Sequence, residues 1–343
     1  MFYNVPIESL EERYSAAWNI GFPQEFQRLD VKYETIYPTL SEGADKITRG
    51  QFLDVVRTNG FKALQLAMLM QKFDRNEIKD GDVIFLHDLW FPGLEMLFYV
   101  RDGLGLKFKI AGMLHAGTYD PYDFLTQKGM GKWAHSIETS WWSEVDAVFV
   151  ATEFHKQLLL SHRALDRSST VHVTGFPLFH TPQSFNTERK NIVVFPHRLA
   201  PEKAPEQFEV LERLCARRMP GWQFIRTKDI CKTKQEYYDL LCQSKVAVSC
   251  ARQETWGIAQ QEAMFQGCIP VVPNRLSYVE MYGGSFRYES LTEAAAMIKY
   301  FGEEWARVVV GTEFTRTAAR CNEKQATAVT KMVELMQKYG WAV

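Results

Sequence analysis

Gln253-Glu254-Thr-Trp256-Gly257-Ile258-Ala-Gln-Gln-Glu262-Ala-Met-Phe-Gln-Gly267-Cys-Ile-Pro270-Val-Val272 decides the fold. The apolar run before it, 246–249, reads as a strand. The run that closes it, 269–272, reads as another, and 258–265 between them reads as a helix. Gly257 opens the helix and Gly267 ends it, the usual punctuation for a short strand–helix–strand crossover. A crossover this short joins parallel strands, so the sheet it belongs to is parallel.

The same alternation extends in both directions. Towards the N-terminus it gives strands over 222–226 and 192–195 and helices over 205–217 and 234–243. Towards the C-terminus it gives helices over 291–300 and 324–338. The first half repeats the theme, with strands over 2–5, 32–37, 83–87, 108–114, 147–151 and 170–173. Helices are expected over 10–29, 51–73, 94–103, 136–144 and 153–164. Residues 176–190, with Pro177 and Pro182 and no periodicity, read as a linker. The expected architecture is α/β: two Rossmann-like, doubly wound domains facing each other across a cleft, over 1–180 and 191–327. The last helix, 328–343, is free to pack back on the first domain.

Composition bounds the function. The chain has 343 residues, 46% hydrophobic and 24% charged, with 40 basic and 41 acidic side chains. That excludes a disordered chain and a global basic field for nucleic acid, though not a local patch. No basic segment followed by an apolar one opens the chain, so no signal peptide is expected. The most apolar stretch, 83–100, is broken by His87, Asp88 and Glu95, and no membrane span is expected. The six cysteines show no metal-ligand spacing. No metal is expected, and scattered reduced thiols suit a cytoplasmic protein.

Ligands of doubly wound folds sit at the C-terminal ends of strands, which puts the loops after 192–195 and 246–249 first. Phe195-Pro-His-Arg198-Leu-Ala-Pro-Glu-Lys203 places a guanidinium and an ammonium where they suit a diphosphate. Two solvated surface cations are the competing reading. Gly257 lets backbone approach a ligand, and the helix N-terminus behind it offers free N–H groups to an anion. Glu254 and Glu262, eight positions apart, can accept bonds from sugar hydroxyls, one set on a hexose and one on a ribose.

These two motifs closely resemble the donor signatures of family 4 glycosyltransferases: Glu254-x7-Glu262 with the Gly257-Ile258 turn, and Arg198-x4-Lys203. The resemblance covers most of 192–280. It implies the GT-B fold and retaining transfer from a nucleotide-sugar, a UDP-sugar in the first instance. The sugar nucleotide is a co-substrate, and no cofactor or metal is implied. It further implies that Arg198 and Lys203 meet the phosphates, Glu254 the sugar, and Trp256, Gly257 and Ile258 the donor around the turn, with Glu262 on the ribose. The catalytic set is then His115, Glu254, Arg198 and Lys203. His115 stands where the family's first-domain histidine approaches the donor sugar.

The first half supplies acceptor candidates. His87 and His115 each end a strand. The long loop after His115 carries Tyr119, Tyr122 and Trp133, rings suited to stacking. In place of the family's Gly-rich first turn stands Pro6-Ile-Glu8-Ser-Leu-Glu11-Glu-Arg13-Tyr14, where Glu8 and Arg13 are candidate contacts. An acidic first turn favoured by the helix dipole is the plainer reading of this segment. The opening resembles that of phage-encoded transferases, some of which decorate hydroxymethylated pyrimidines in DNA. The resemblance implies DNA modification in the host cytoplasm. The basic run Arg226, Lys228, Lys232 and Lys234 is expected to meet phosphates. The alternative acceptor is a saccharide or lipid-linked glycan. The alternative activity is a nucleotide-sugar epimerase on the same fold. The oligomeric state is not legible.

Overall fold

The computed structural model describes residues 1–9, 14–39, 54–163, 168–179 and 188–343. The chain divides into two compact units. The first is Met1–Ala151, Lys156–Phe179 and Gln325–Val343; the second is Thr152–His155 and His180–Lys324.

The first unit holds β1 (Phe2–Val5), α1 (Tyr14–Arg28), β2 (Tyr33–Thr35), α2 (Val55–Asp74), β3 (Val83–Leu86) and α3 (Leu94–Leu104). It continues with β4 (Lys109–Met113), α4 (Phe124–Gln127), α5 (Gly131–Glu144), β5 (Ala147–Val150), most of α6 (Glu153–His162), and β6 (Val171–Val173). Its six strands are ordered β2-β1-β3-β4-β5-β6, with every pairing parallel. Strands such as Val-Ile-Phe-Leu in β3 and Ala-Val-Phe-Val in β5 are buried at every position. Helices cover both faces of such a sheet, which is why the strands read as continuous apolar runs and not as alternation.

The second unit holds β7 (Ile192–Phe195), α7 (Pro205–Ala216), β8 (Gln223–Arg226), α8 (Thr227–Ile230), α9 (Lys234–Gln243), β9 (Val246–Val248) and α10 (Ile258–Phe265). It continues with β10 (Ile269–Pro273), α11 (Tyr278–Met281), β11 (Arg287–Tyr288), α12 (Leu291–Glu303), α13 (Trp305–Val309) and α14 (Thr312–Ala326). The strand order is β11-β10-β9-β7-β8, again parallel. From β7 the chain goes first to β8 on one side. It then returns to β9 on the other, so the order reverses between β7 and β9. A doubly wound sheet leaves its ligand crevice at that reversal.

The last helix, α15 (Ala328–Lys338), lies in the first unit. Arg28 of α1 donates to Thr330 Oγ1 at 2.7 Å, and the Tyr339 ring lies 5.7 Å from that of His172. The single helix expected over 324–338 is two helices, α14 and α15, separated at Thr327. Among the described residues no helix is long and apolar enough to cross a membrane.

Candidate functional site

The two loops that flank the β7/β9 reversal meet through charge. After β7, residues Pro201–Lys203 form one 3-10 turn, which ends on Ala204 in the left-handed region at φ 51°. Pro205, at the first position of α7, then fixes the helix start. This turn drives the Lys203 side chain inward, to 7% exposure. Its ammonium donates to the Gln253 carbonyl at 2.6 Å and to Glu254 Oε2 at 3.0 Å. Lys203 and Glu254, 51 positions apart, thus form one largely buried ion pair at the mouth of the sheet. Burial pushes the Glu254 carboxyl up, but the Lys203 ammonium and the Trp256 N–H bond outweigh it and hold the group down at about 2. Glu254 is therefore an anion at any physiological pH.

Gly257 caps α10 at φ +85°. A Cβ there would sit 3.2 Å from the Tyr278 ring and 3.7 Å from Glu254 Cγ. The left-handed conformation favours glycine, and the space beside the Tyr278 ring is tight for a Cβ. The N–H groups of the first turn of α10 follow directly, beginning at Ile258, which is partly exposed. The Trp256 side chain is buried at 2% exposure and serves as packing under the turn. Trp256 is expected from the sequence among the residues that meet the donor around the turn; its ring is buried, which leaves its backbone for such a contact.

Arg198 is more open. Its side chain is 38% exposed and pairs with Glu202 one turn away, where Arg198 Nε donates to Glu202 Oε1 at 2.6 Å. His197, which sequence reasoning passed over, is 3% exposed, and its Nε2 is buried without a hydrogen-bond partner among the described residues. Burial, then the Lys203 charge, pushes its imidazole down to about 3, so it is neutral. The only sequence signal was its place beside Arg198.

Glu262, in the second turn of α10, is met by α9. Lys234 Nζ donates to Oε1 at 2.7 Å, Tyr238 OH to Oε1 at 2.9 Å, and Tyr237 OH to Oε2 at 3.1 Å. The three donors come from one face of one helix, at i, i+3 and i+4. The basic run that includes Lys234 is thus largely neutralised, since Arg226 pairs with Glu209 and Asp229. Only Lys228 and Lys232 remain as exposed candidates for phosphate contacts.

In the first unit the expected acceptor set separates. His87 is fully buried, 4.1 Å from the Phe22 ring and 5.6 Å from that of Trp18. Its Nε2 donates to Asn4 Oδ1 at 2.7 Å. Burial, then the nearby His115, pushes it down to about 3. It is a core residue and not an acceptor contact. Side chains alternate across a strand, so His87 continues the face of Val83 and Phe85, which packs under α1. Asp88 takes the other direction, and its Oδ2 accepts from Lys62 at 2.8 Å.

His115 is partly exposed, but both ring nitrogens have internal partners. Nε2 donates to the His87 carbonyl at 2.7 Å, and Nδ1 accepts from Tyr14 OH at 3.1 Å. Burial lowers its affinity for a proton.

Glu8 is nearly buried and accepts from Thr58 Oγ1 at 2.6 Å. Arg13 lies outside the described residues. Tyr119 is 1% exposed, edge-on to Trp142 at 5.4 Å, and cannot stack on a ligand. Tyr122 and Trp133 remain exposed, at 43% and 50%. Trp133 belongs to the first turn of α5 and not to the loop, and lies edge-on to Trp90 at 6.2 Å.

No family model matches this chain. Over 81 residues it is 30% identical to tRNA-queuosine alpha-mannosyltransferase of Drosophila melanogaster. That stretch is 24% of this chain and only 20% of the relative. Likeness over the whole chain is structural. Sucrose-phosphate synthase of Thermosynechococcus elongatus superposes with a TM-score of 0.68 at 11% identity, covering 100% of this chain and 99% of that one. HepE of Anabaena, solved in complex with UDP and glucose, gives 0.62 at 12% identity, covering 98% and 99%. The chain has the GT-B fold of glycosyltransferases, two parallel-sheet α/β units in one polypeptide.

Proposed function

We propose that this chain is a retaining glycosyltransferase of family 4 type that moves a sugar from a UDP-sugar to a hydroxyl of a modified nucleoside. The observation that carries the reading is the Lys203–Glu254 pair. It unites both sequence signatures at the one place in the second sheet where the strand order reverses. A departing nucleoside diphosphate needs preorganised positive potential as the sugar develops oxocarbenium character. Lys203, Arg198 and the N–H groups opening α10 supply it. Glu254 accepts hydroxyls of the transferred sugar, and Glu262 those of the ribose. HepE, which shares the fold, was solved with UDP and glucose, and this supports a UDP-sugar here.

The favoured acceptor is a hydroxymethylated pyrimidine in DNA, as the phage-like opening implies. The local match to an enzyme named for queuosine in tRNA favours a second reading, a modified nucleoside of tRNA. Both are hydroxyls on a base that must be presented singly. The exposed Tyr122 and Trp133 suit that task, and Lys228 and Lys232 suit the backbone. The six cysteines are unpaired, which suits a reducing cytoplasm, the host's if the chain is phage-encoded.

Product analysis tests the reading. The protein is incubated with UDP-, GDP- and ADP-sugars, alone and with hydroxymethylated DNA or bulk tRNA. A glycosylated nucleoside with retained anomeric configuration is expected. A glycosylated saccharide, or an epimerised sugar nucleotide without acceptor, would replace it. Activity is expected to survive EDTA, because the protein's own cations answer the diphosphate. Loss of activity that manganese or magnesium restores would contradict this.

Replacing Tyr122 or Trp133 by Ala is expected to lower transfer to nucleic acid about tenfold to a hundredfold, the worth of one base–aromatic stack. Donor hydrolysis should stay nearly intact. Trp133 also touches Trp90, so its melting temperature is measured alongside. A loss of transfer that tracks a loss of folded protein would return Trp133 to packing.

A further inference from the structure

Glu262, read above as the ribose acceptor, is itself met by three side-chain donors. A carboxylate offers roughly four lone-pair sites, two on each oxygen. Lys234 and Tyr238 both donate to Oε1, and Tyr237 donates to Oε2. Oε1 is therefore full and Oε2 has one site left. The two vicinal hydroxyls of a ribose need two.

One of the three donors is built to leave. Tyr237 and Tyr238 are anchored by the packing of α9 on α10, whereas the Lys234 side chain is 46% exposed. Its ammonium lies 4.8 Å and 4.9 Å from the centres of the Tyr237 and Tyr238 rings. Its half-exposed ammonium regains water on moving, while the two tyrosines stay on the carboxylate. It can also stay over the ring faces after releasing Oε1.

We infer that Lys234 is a placeholder in the ribose subsite: its ammonium holds Glu262 Oε1, and the ribose of the incoming nucleoside diphosphate displaces it. The inference rests on the reading of Glu262 as the ribose acceptor. It makes Lys234, Tyr237 and Tyr238 a specificity device. A ligand with two vicinal hydroxyls exchanges one bond on Oε1 and adds one on Oε2. A ligand with a single hydroxyl uses the open site on Oε2 and gains nothing from displacing the lysine.

Titration calorimetry with UDP, 2′-deoxy-UDP and inorganic pyrophosphate tests this on the full chain. Lys234→Met keeps the apolar stem over the two rings and removes the ammonium. UDP is expected to bind this variant about fivefold to tenfold more tightly than the wild type, since the new charge-assisted bond to Oε1 no longer replaces another. Pyrophosphate should bind no more tightly, and the preference for UDP over 2′-deoxy-UDP should widen. Tyr238→Phe frees one site on Oε1 without touching the charge, and should give a smaller gain in the same direction.

Weaker UDP binding by Lys234→Met with pyrophosphate unchanged would make Lys234 a direct contact and overturn the placeholder. Unchanged affinity for all three ligands would make it a surface pair and overturn it equally. If Lys234→Met melts early, Tyr238→Phe decides, and no gain there overturns the inference. A wild-type protein that binds none of UDP, GDP and ADP fails at the earlier step, the reading of the site as a donor site.

Discussion

Replacing Glu254 by Gln or Lys203 by Ala is expected to lower turnover at least about a hundredfold, the usual cost of removing one preorganised stabilising group. The two variants should differ in stability. Lys203→Ala leaves the Glu254 carboxylate buried with only the Trp256 N–H to answer it, and breaking a buried pair from one side costs about 3–5 kcal/mol. Glu254→Gln keeps an oxygen for Lys203, which also retains the Gln253 carbonyl at 2.6 Å, and leaves no unpaired anion behind, so it should lose less stability than Lys203→Ala. Turnover with a UDP-sugar and urea unfolding measure the two effects separately. Wild-type-like turnover in Glu254→Gln would remove Glu254 from the mechanism.

The same pair predicts a pH signature. The Glu254 carboxyl is depressed from 4.5 to about 2 in the folded protein. A depressed carboxyl contributes stability that is complete above its unfolded value and is lost as the pH falls towards its folded one. Wild-type melting temperature should therefore decline between about pH 4.5 and 2 more steeply than that of Glu254→Gln. Parallel curves would mean that the pair contributes nothing.

How much of this was legible depends on what each residue's letter reveals. Strands β7, β9 and β10 were readable because a parallel sheet buried on both faces needs unbroken apolar runs. The helix α10 and its Gly257 cap were readable because punctuation and chemistry coincide there. The helix α14 was not seen over most of its length. Its buried positions, Phe314, Thr317, Cys321 and Gln325, keep helical spacing, but two of the four, Thr317 and Gln325, are not letters that a hydrophobic pattern counts. The helix expected over 136–144 starts five residues after α5 does, because two glycines, Gly129 and Gly131, hide its first turn from a helical pattern. Gly129 is indeed left-handed at φ 76°, and the helix begins at once behind it.

Within the site, the motifs located Lys203 and Glu254 but could not show that they touch. Nor could they show that Glu262 is already engaged by α9, because Lys234, Tyr237 and Tyr238 lie in another motif's territory. The two histidines illustrate the limit on the acceptor side. Each ends a strand, and period-two alternation cannot say which face a terminal residue takes once both faces are covered. His87 fell on the α1 face among Trp18, Phe22 and Phe85, and His115 beside Tyr14.

The loop after β4 shows what holds the remaining acceptor candidates in place, and carries the last expectation. Glu138 of α5 is fully buried and Arg163, just past α6, is 4% exposed. Arg163 donates to Glu138 Oε2 through Nη2 at 2.6 Å and Nε at 3.2 Å, and Nη2 also reaches Thr118 Oγ1 at 2.7 Å. Glu138 Oε1 accepts from the Thr118 N–H at 2.7 Å and from the Trp90 indole at 2.9 Å. One carboxylate thus ties the loops after β3 and β4 to α5 and α6. Arg163→Met removes the cation and leaves this carboxylate buried, so it is expected to destabilise the protein by about 3–5 kcal/mol in urea unfolding.

The double replacement Glu138→Leu with Arg163→Met should recover part of that loss. An apolar pair of similar volume removes the unpaired charge, but leaves the Thr118 N–H and the Trp90 indole without an acceptor. Such a variant would fold with its Thr118 loop unpinned. On the proposed function, transfer to the acceptor should then fall while binding of UDP, assigned there to the second unit, stays at its wild-type level. Equal loss of both would mean that the network serves stability alone. Wild-type stability of Arg163→Met would mean that Glu138 is satisfied without it.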